Sequence, residues 1–130
     1  MRQVAAVMLL LIAFVHLPPL VGVLGTARLE ALYGLPIEGA DLAILMRHRA
    51  VLFGLLGAYQ LWAVFRPAHR TLAFVAGIVS LAAFLALVHS TPGHNAALAR
   101  LATIDAVALV FAVLGLGAHL AAGKAPVGGA

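Results

Sequence analysis

The residues best suited to chemistry are His16, Arg47, His48, Arg49, Gln60 and Asp105, and each lies inside a long apolar stretch. An arginine fork binds a carboxylate or a phosphate through two parallel hydrogen bonds. An imidazole moves protons near neutral pH, and a carboxylate can orient it or pair with the arginine. Most residues between Asp41 and Phe65 are apolar, yet Arg47-His48-Arg49 sits among them. An arginine at the centre of a membrane helix costs about 2.5–3.5 kcal/mol on insertion scales. Such charges persist when they are paired or line a cavity, so the triplet marks the neighbourhood of a polar site.

The elements that must position these residues follow from composition. The chain has 130 residues, 65% of them hydrophobic and 9% charged, where a soluble domain carries about 25% charged residues. Its mean hydropathy is +1.13. The length suits one domain, residues 1–130. Four apolar segments, at about 4–24, 42–65, 71–88 and 96–120, approach or exceed the ~20 residues that cross a bilayer as helix. The sequence therefore predicts an all-α fold, an integral membrane four-helix bundle. Arg66-Pro67 ends the second span, and Ser90-Thr-Pro-Gly-His-Asn95 turns between the third and fourth. Asn95 reads as the N-cap of the fourth span and Asp41 as that of the second. Thr26 to Tyr33 reads either as a short amphipathic helix, capped by Thr26 and ended by Gly34, or as an ordered loop. As a helix it would place Leu29, Leu32 and Tyr33 on one face, over the bundle mouth or on the membrane. The first span, with Pro18-Pro19 in it, reads as a retained helix rather than a cleaved signal, and the prolines predict a bend.

Orientation comes from the basic residues. Arg2, Arg66, Arg70 and Lys124 lie on one side with no acid; Arg28, Arg47, Arg49 and Arg100 lie on the other with Glu30, Glu38, Asp41 and Asp105. Arg47, Arg49 and Arg100 fall within helices and are not ordinary loop charges. Both termini are then expected in the cytoplasm, N-in and C-in.

Depth counting draws the polar residues together. Arg47 and Arg49 lie six and eight residues past Asp41, ~9 and ~12 Å into the bilayer at ~1.5 Å per residue. Asp105 lies ~15 Å from the outer start of the fourth helix, and His16 ~12 Å from the outer end of the first. Arg49, Asp105 and His16 thus share an outer-half layer, with His48 near it. Asp105 is the only acid inside a span, and its natural partner is Arg47 or Arg49. Arg49, Phe53, Leu56 and Gln60 form one helical stripe, whereas Arg47 stands ~200° around the helix from Arg49 and is free to reach water. Small residues such as Ala73, Gly77 and Gly54 read as helix–helix packing.

Several chemistries find little support. With no cysteine, disulfides and thiolate metal sites are excluded. No compact metal-ligand spacing is present; a site from His16, His48 and His89 would need three helices and is the weaker alternative to no metal. No cofactor is required. The eight basic residues are too scattered for nucleic-acid binding. Thr91-Pro92-Gly93-His94 matches a short nucleotidyltransferase signature, but it sits in a turn between membrane helices with no phosphate-binding loop, and that activity is rejected.

The stretch Leu32-Tyr33-Gly34 together with Leu42-Ala-Ile-Leu-Met-Arg-His-Arg-Ala-Val-Leu-Phe-Gly54 resembles a family of small, uncharacterised bacterial proteins with four membrane spans. Members sometimes carry a phosphopantetheine adenylyltransferase name, which nothing in this chain supports. More distantly, the architecture is similar to DoxX-like four-helix membrane proteins. The resemblance implies a bacterial inner membrane and carries over no catalytic residues. The sequence favours a non-enzymatic protein that binds a small amphipathic or anionic ligand, such as a lipid or quinone-like head group, or a partner subunit, through Arg47, Arg49 and Asp105 with His16, His48 and Gln60. The alternatives are a membrane enzyme using His16 or His48 with Asp105 on a lipidic substrate, and a structural subunit of a homo-oligomer or larger membrane complex.

Overall fold

The computed structural model describes residues 1–124, which are predominantly helical, with five α-helices. They are α1 (Arg2–His16), α2 (Thr26–Tyr33), α3 (Ala40–Val64), α4 (Arg70–Ser90) and α5 (Ala96–Lys124). Two 3-10 segments, Pro18–Leu24 and Pro67–His69, join them. Four stretches are long and apolar enough to cross a membrane: Arg2–Leu24, Ala40–Val64, Pro67–Ser90 and Ala96–Gly123. At most 28% of the best apolar window of any of them is buried within the protein. Leu11, Phe14, Leu45, Leu55, Leu72, Val79, Leu87, Val110 and Leu114 all point outward. Helices that are apolar all round need an apolar surrounding, which a bilayer supplies.

The bundle closes as a ring in which α1 lies between α3 and α5, and α4 completes the circle between those two. Its core combines Leu9, Ile12, Phe74 and Leu81 with the alanines Ala5, Ala13, Ala63, Ala73, Ala108 and Ala112, all buried. Small residues let membrane helices approach closely. Gly115 shows why: a Cβ there would stand 2.6 Å from the Phe74 ring.

The Pro18-Pro19 region departs from expectation. The sequence predicts one bent helix through residue 24, but the α-helix stops at His16 and the chain continues as a 3-10 segment. Two prolines cannot donate to the preceding turn, and the chain resumes with i→i+3 bonding, the Leu20 N–H donating to Leu17 O at 3.0 Å. Two expected caps are also absent. Gly39 and Gly25 occupy the N-cap positions of α3 and α2, and neither helix has a side-chain cap bond, so Asp41 and Thr26 do not cap. Asp41 instead lies in the first turn of α3, where a carboxylate still favours the helix dipole.

Residues 26–33 do form a helix, and they lie over the bundle mouth. Leu29 and Tyr33 are buried there and form a second small core with Ile37 and Ala50. Gly34 ends α2 at φ 65, the left-handed conformation glycine tolerates. Asn95 fastens this cover: its Oδ1 accepts from the Leu98 N–H at 2.9 Å, capping α5, while its Nδ2 donates to the Tyr33 and Gly34 carbonyls. Glu30 accepts from the Ile37 N–H at 3.0 Å and holds the following loop.

Candidate functional site

Beneath α2, residues two to four turns into α3 and α5, with the end of α1 and Phe84 of α4, surround a cavity of about 230 Å³. Its polar lining is His16 from α1, Tyr33 from α2, Arg49 from α3 and Asp105 from α5; Phe53, Phe84, Leu101 and Ile104 supply much of the rest. Arg49, Asp105 and His16 therefore meet around one space, as their common depth predicts. Arg47 and His48 do not join them. Both are exposed, and the Arg47 Nε donates to the Val23 carbonyl at 3.0 Å, fastening the 3-10 segment to α3. The ~200° between Arg47 and Arg49 on the helix wheel is the reason. With Arg47 outside, the cavity holds one arginine and one acid, where the sequence groups two arginines with Asp105.

The Arg49 guanidinium lies over two aromatic faces, 5.0 Å from the Tyr33 ring centre and 4.8 Å from that of Phe53. A cation so placed is attracted by the ring quadrupoles. Its charge also acts on Asp105 across the cavity. Among the described residues, however, no hydrogen bond or ion pair joins Asp105 to Arg47 or Arg49, so the expected fork is not made. Tyr33 belongs to the same electrostatic group: burial pushes its hydroxyl above the ordinary phenol value, Arg49 opposes that shift and Asp105 adds to it.

His16 is wholly buried. Its Nδ1 lies 2.9 Å from the Ile12 carbonyl oxygen, and its ring stacks on Phe53 with centroids 5.8 Å apart. A carbonyl oxygen only accepts, so Nδ1 carries the proton and Nε2 is left as an acceptor. That Nε2 has no partner. The Gln60 amide lies beside the ring but outside hydrogen-bond geometry, and both of its polar atoms are also buried and unpartnered. Gly77 makes the space: a Cβ there would stand 2.6 Å from Gln60 Nε2. Orphaned buried polar groups cost about 1–3 kcal/mol each, and a native fold that keeps them usually uses them or fills them with water.

The histidines do not converge on a metal. His16 lines the cavity, His48 is exposed, and His89 borders a separate groove with His94. Among the described residues no cluster of three or more His, Asp or Glu side chains is close enough to hold a metal ion.

One important residue was hidden from the sequence. Arg70, placed there as a loop charge, is only 7% exposed. It is the first residue of α4 and folds back to donate Nε to Ala63 O at 3.4 Å, Nη1 to Arg2 O at 3.0 Å, and Nη2 to Val64 O. It thereby gives the Val64 carbonyl at the end of α3 a partner and adds a second to Ala63 O, which also accepts from the Arg66 N–H. The available signal is the spacing: an arginine just after a helix-ending proline can reach the last carbonyls of the helix it follows. Comparison of the chain with family models, with curated proteins and with solved structures gives no match.

Proposed function

We propose that this chain is a multi-pass protein of a bacterial inner membrane that binds a small amphipathic molecule in the cavity under α2 and catalyses no reaction on it. The observation that carries the reading is the convergence of His16, Arg49 and Asp105, from three helices, on one space walled largely by apolar and aromatic groups. A few polar groups in an apolar cleft is the usual makeup of a ligand site. The volume exceeds the ~150 Å³ of an apolar cavity that holds benzene, so a ring-sized or short-chain head fits.

The charge balance defines the head. One arginine faces one carboxylate, so a neutral or zwitterionic, oxygen-bearing group suits the cavity better than a strong anion. Arg49 supplies donors and Asp105 acceptors, while the aromatic and leucine walls take the apolar part. The four-helix arrangement agrees with the proposed kinship to small four-span and DoxX-like proteins at the level of architecture, which does not define function. The proposed topology has both termini in the cytoplasm, supported by the acid-free end that carries Arg2, Arg66 and Arg70.

The test is mass spectrometry of protein purified from membranes under mild detergent, with Asp105→Asn beside it. The wild type should carry a small amphipathic molecule, and a folded Asp105→Asn variant should carry less. A wild-type protein free of any such molecule contradicts the proposal. For topology, a C-terminal reporter that is active outside the cytoplasm overturns the N-in, C-in arrangement.

A further inference from the structure

The opposite end of the bundle carries a second, chemically different feature. A cavity of about 310 Å³ lies between the start of α1, the start of α4 and the end of α5, bordered by Arg2, Pro67, Arg70, His119, Leu120 and Gly123. The Arg70 guanidinium is buried in its wall, and its charge acts on His119. Arg66 is exposed on the adjoining turn.

Arg70 has five N–H donors, and three of them go to main-chain carbonyls. Those bonds satisfy donors but supply no counter-charge. The four acids of the chain, Glu30, Glu38, Asp41 and Asp105, all lie in the other half of the molecule. A buried cation is costly unless an anion compensates it. Among the described residues no acidic side chain lies here; Arg2 adds a second positive group to the same cavity, and the His119 imidazole adds a hydrogen-bonding edge.

Its depth says where an anion would come from. Beside it, Trp62 packs on His69 with ring centres 4.4 Å apart, and the Tyr59 hydroxyl donates to the His69 carbonyl at 3.5 Å. Half-exposed Trp and Tyr gather at the head-group level of a bilayer. Basic pockets between membrane helices at that level take phosphate-bearing lipid heads.

We infer that the Arg2–Arg70–His119 cavity is a binding site for a phosphate-type oxyanion, supplied by the head group of an anionic phospholipid. Arg70 provides the fixed charge, held in place by the carbonyls it caps. Arg2 and His119 close on the phosphate from α1 and α5. Leu120 borders the acyl chains.

The experiment uses the full chain in detergent, titrated separately with phosphatidylglycerol, phosphatidylcholine and inorganic phosphate, and read by native mass spectrometry and thermal shift. Arg70 is needed for the fold, so the informative variants are Arg2→Gln and His119→Gln, with Arg100→Gln at the far end as control. The wild type should bind phosphatidylglycerol in preference to phosphatidylcholine. Arg2→Gln should weaken phosphatidylglycerol binding by about fivefold, the usual effect of one basic residue at an anionic surface; Arg100→Gln should leave it unchanged. If inorganic phosphate protects the wild type as well as the lipid does, and Arg2→Gln abolishes that protection, the oxyanion site stands and the lipid source falls. Equal binding of both lipids with no phosphate effect overturns the proposal, as does a phosphatidylglycerol preference that Arg2→Gln and His119→Gln leave intact.

Discussion

Arg70 and Arg49 are both arginines held away from water, and the chain treats them in opposite ways. Arg70 sits at one end of the bundle and commits its fork to three main-chain carbonyls, those of Arg2, Ala63 and Val64. Arg49, near the other end, lies on the faces of Tyr33 and Phe53 and has no hydrogen bond to the protein among the described residues. Aromatic faces hold the cation without consuming its N–H groups, so those donors stay available to the cavity. An arginine whose donors are used locally supports the fold. An arginine whose donors are kept open, opposite a carboxylate in a cavity, is arranged for something that enters.

The contrast is broken most sharply at Arg70. Arg70→Leu should destabilise the protein by about 3 kcal/mol or more, because it removes three hydrogen bonds from a charged group, worth about 1.5–3 kcal/mol each; thermal unfolding in detergent measures it. Asn95→Ala should cost about 1–2 kcal/mol through loss of the α5 cap, and faster hydrogen exchange in α2 should show the cover loosening. Gln60→Leu removes two orphaned polar atoms and fills nearly the same volume, so unfolding should shift by less than about 1 kcal/mol or toward greater stability. Asp41→Ala should be nearly neutral, within about 0.5 kcal/mol, since the carboxylate makes no cap bond. A loss above about 1 kcal/mol there contradicts the cap assignment given for Gly39.

Much of this arrangement was legible in the chain because helix rise is constant. Counting from Asp41, Asn95 and Leu24 gave one depth for Arg49, Asp105 and His16, even though Asp41 proved not to be the cap; a one- or two-residue error shifts depth by only ~2–3 Å. Rotation was harder. The angle between Arg47 and Arg49 was readable, but which of them faces inward depended on the shared stripe with Gln60. The covering helix was legible through its apolar face and Gly34, although its seat on the mouth is set by the bonds of Asn95, which no local pattern reveals. The 3-10 winding after His16 was missed because two prolines permit either a kinked α-helix or a tighter one. Arg70 was missed because the Arg66–His69 turn is short enough to fold a loop charge back under the preceding helix.

The account rests on Arg49 serving the cavity and not the fold, and one pair of readings on Arg49→Leu tests that directly. Unfolding of the variant should fall by no more than about 1 kcal/mol, the scale of the lost cation–π contacts, while the small molecule carried by the wild type disappears from its native mass spectrum. A variant that unfolds as readily as Arg70→Leu, or one that retains the molecule undiminished, contradicts it.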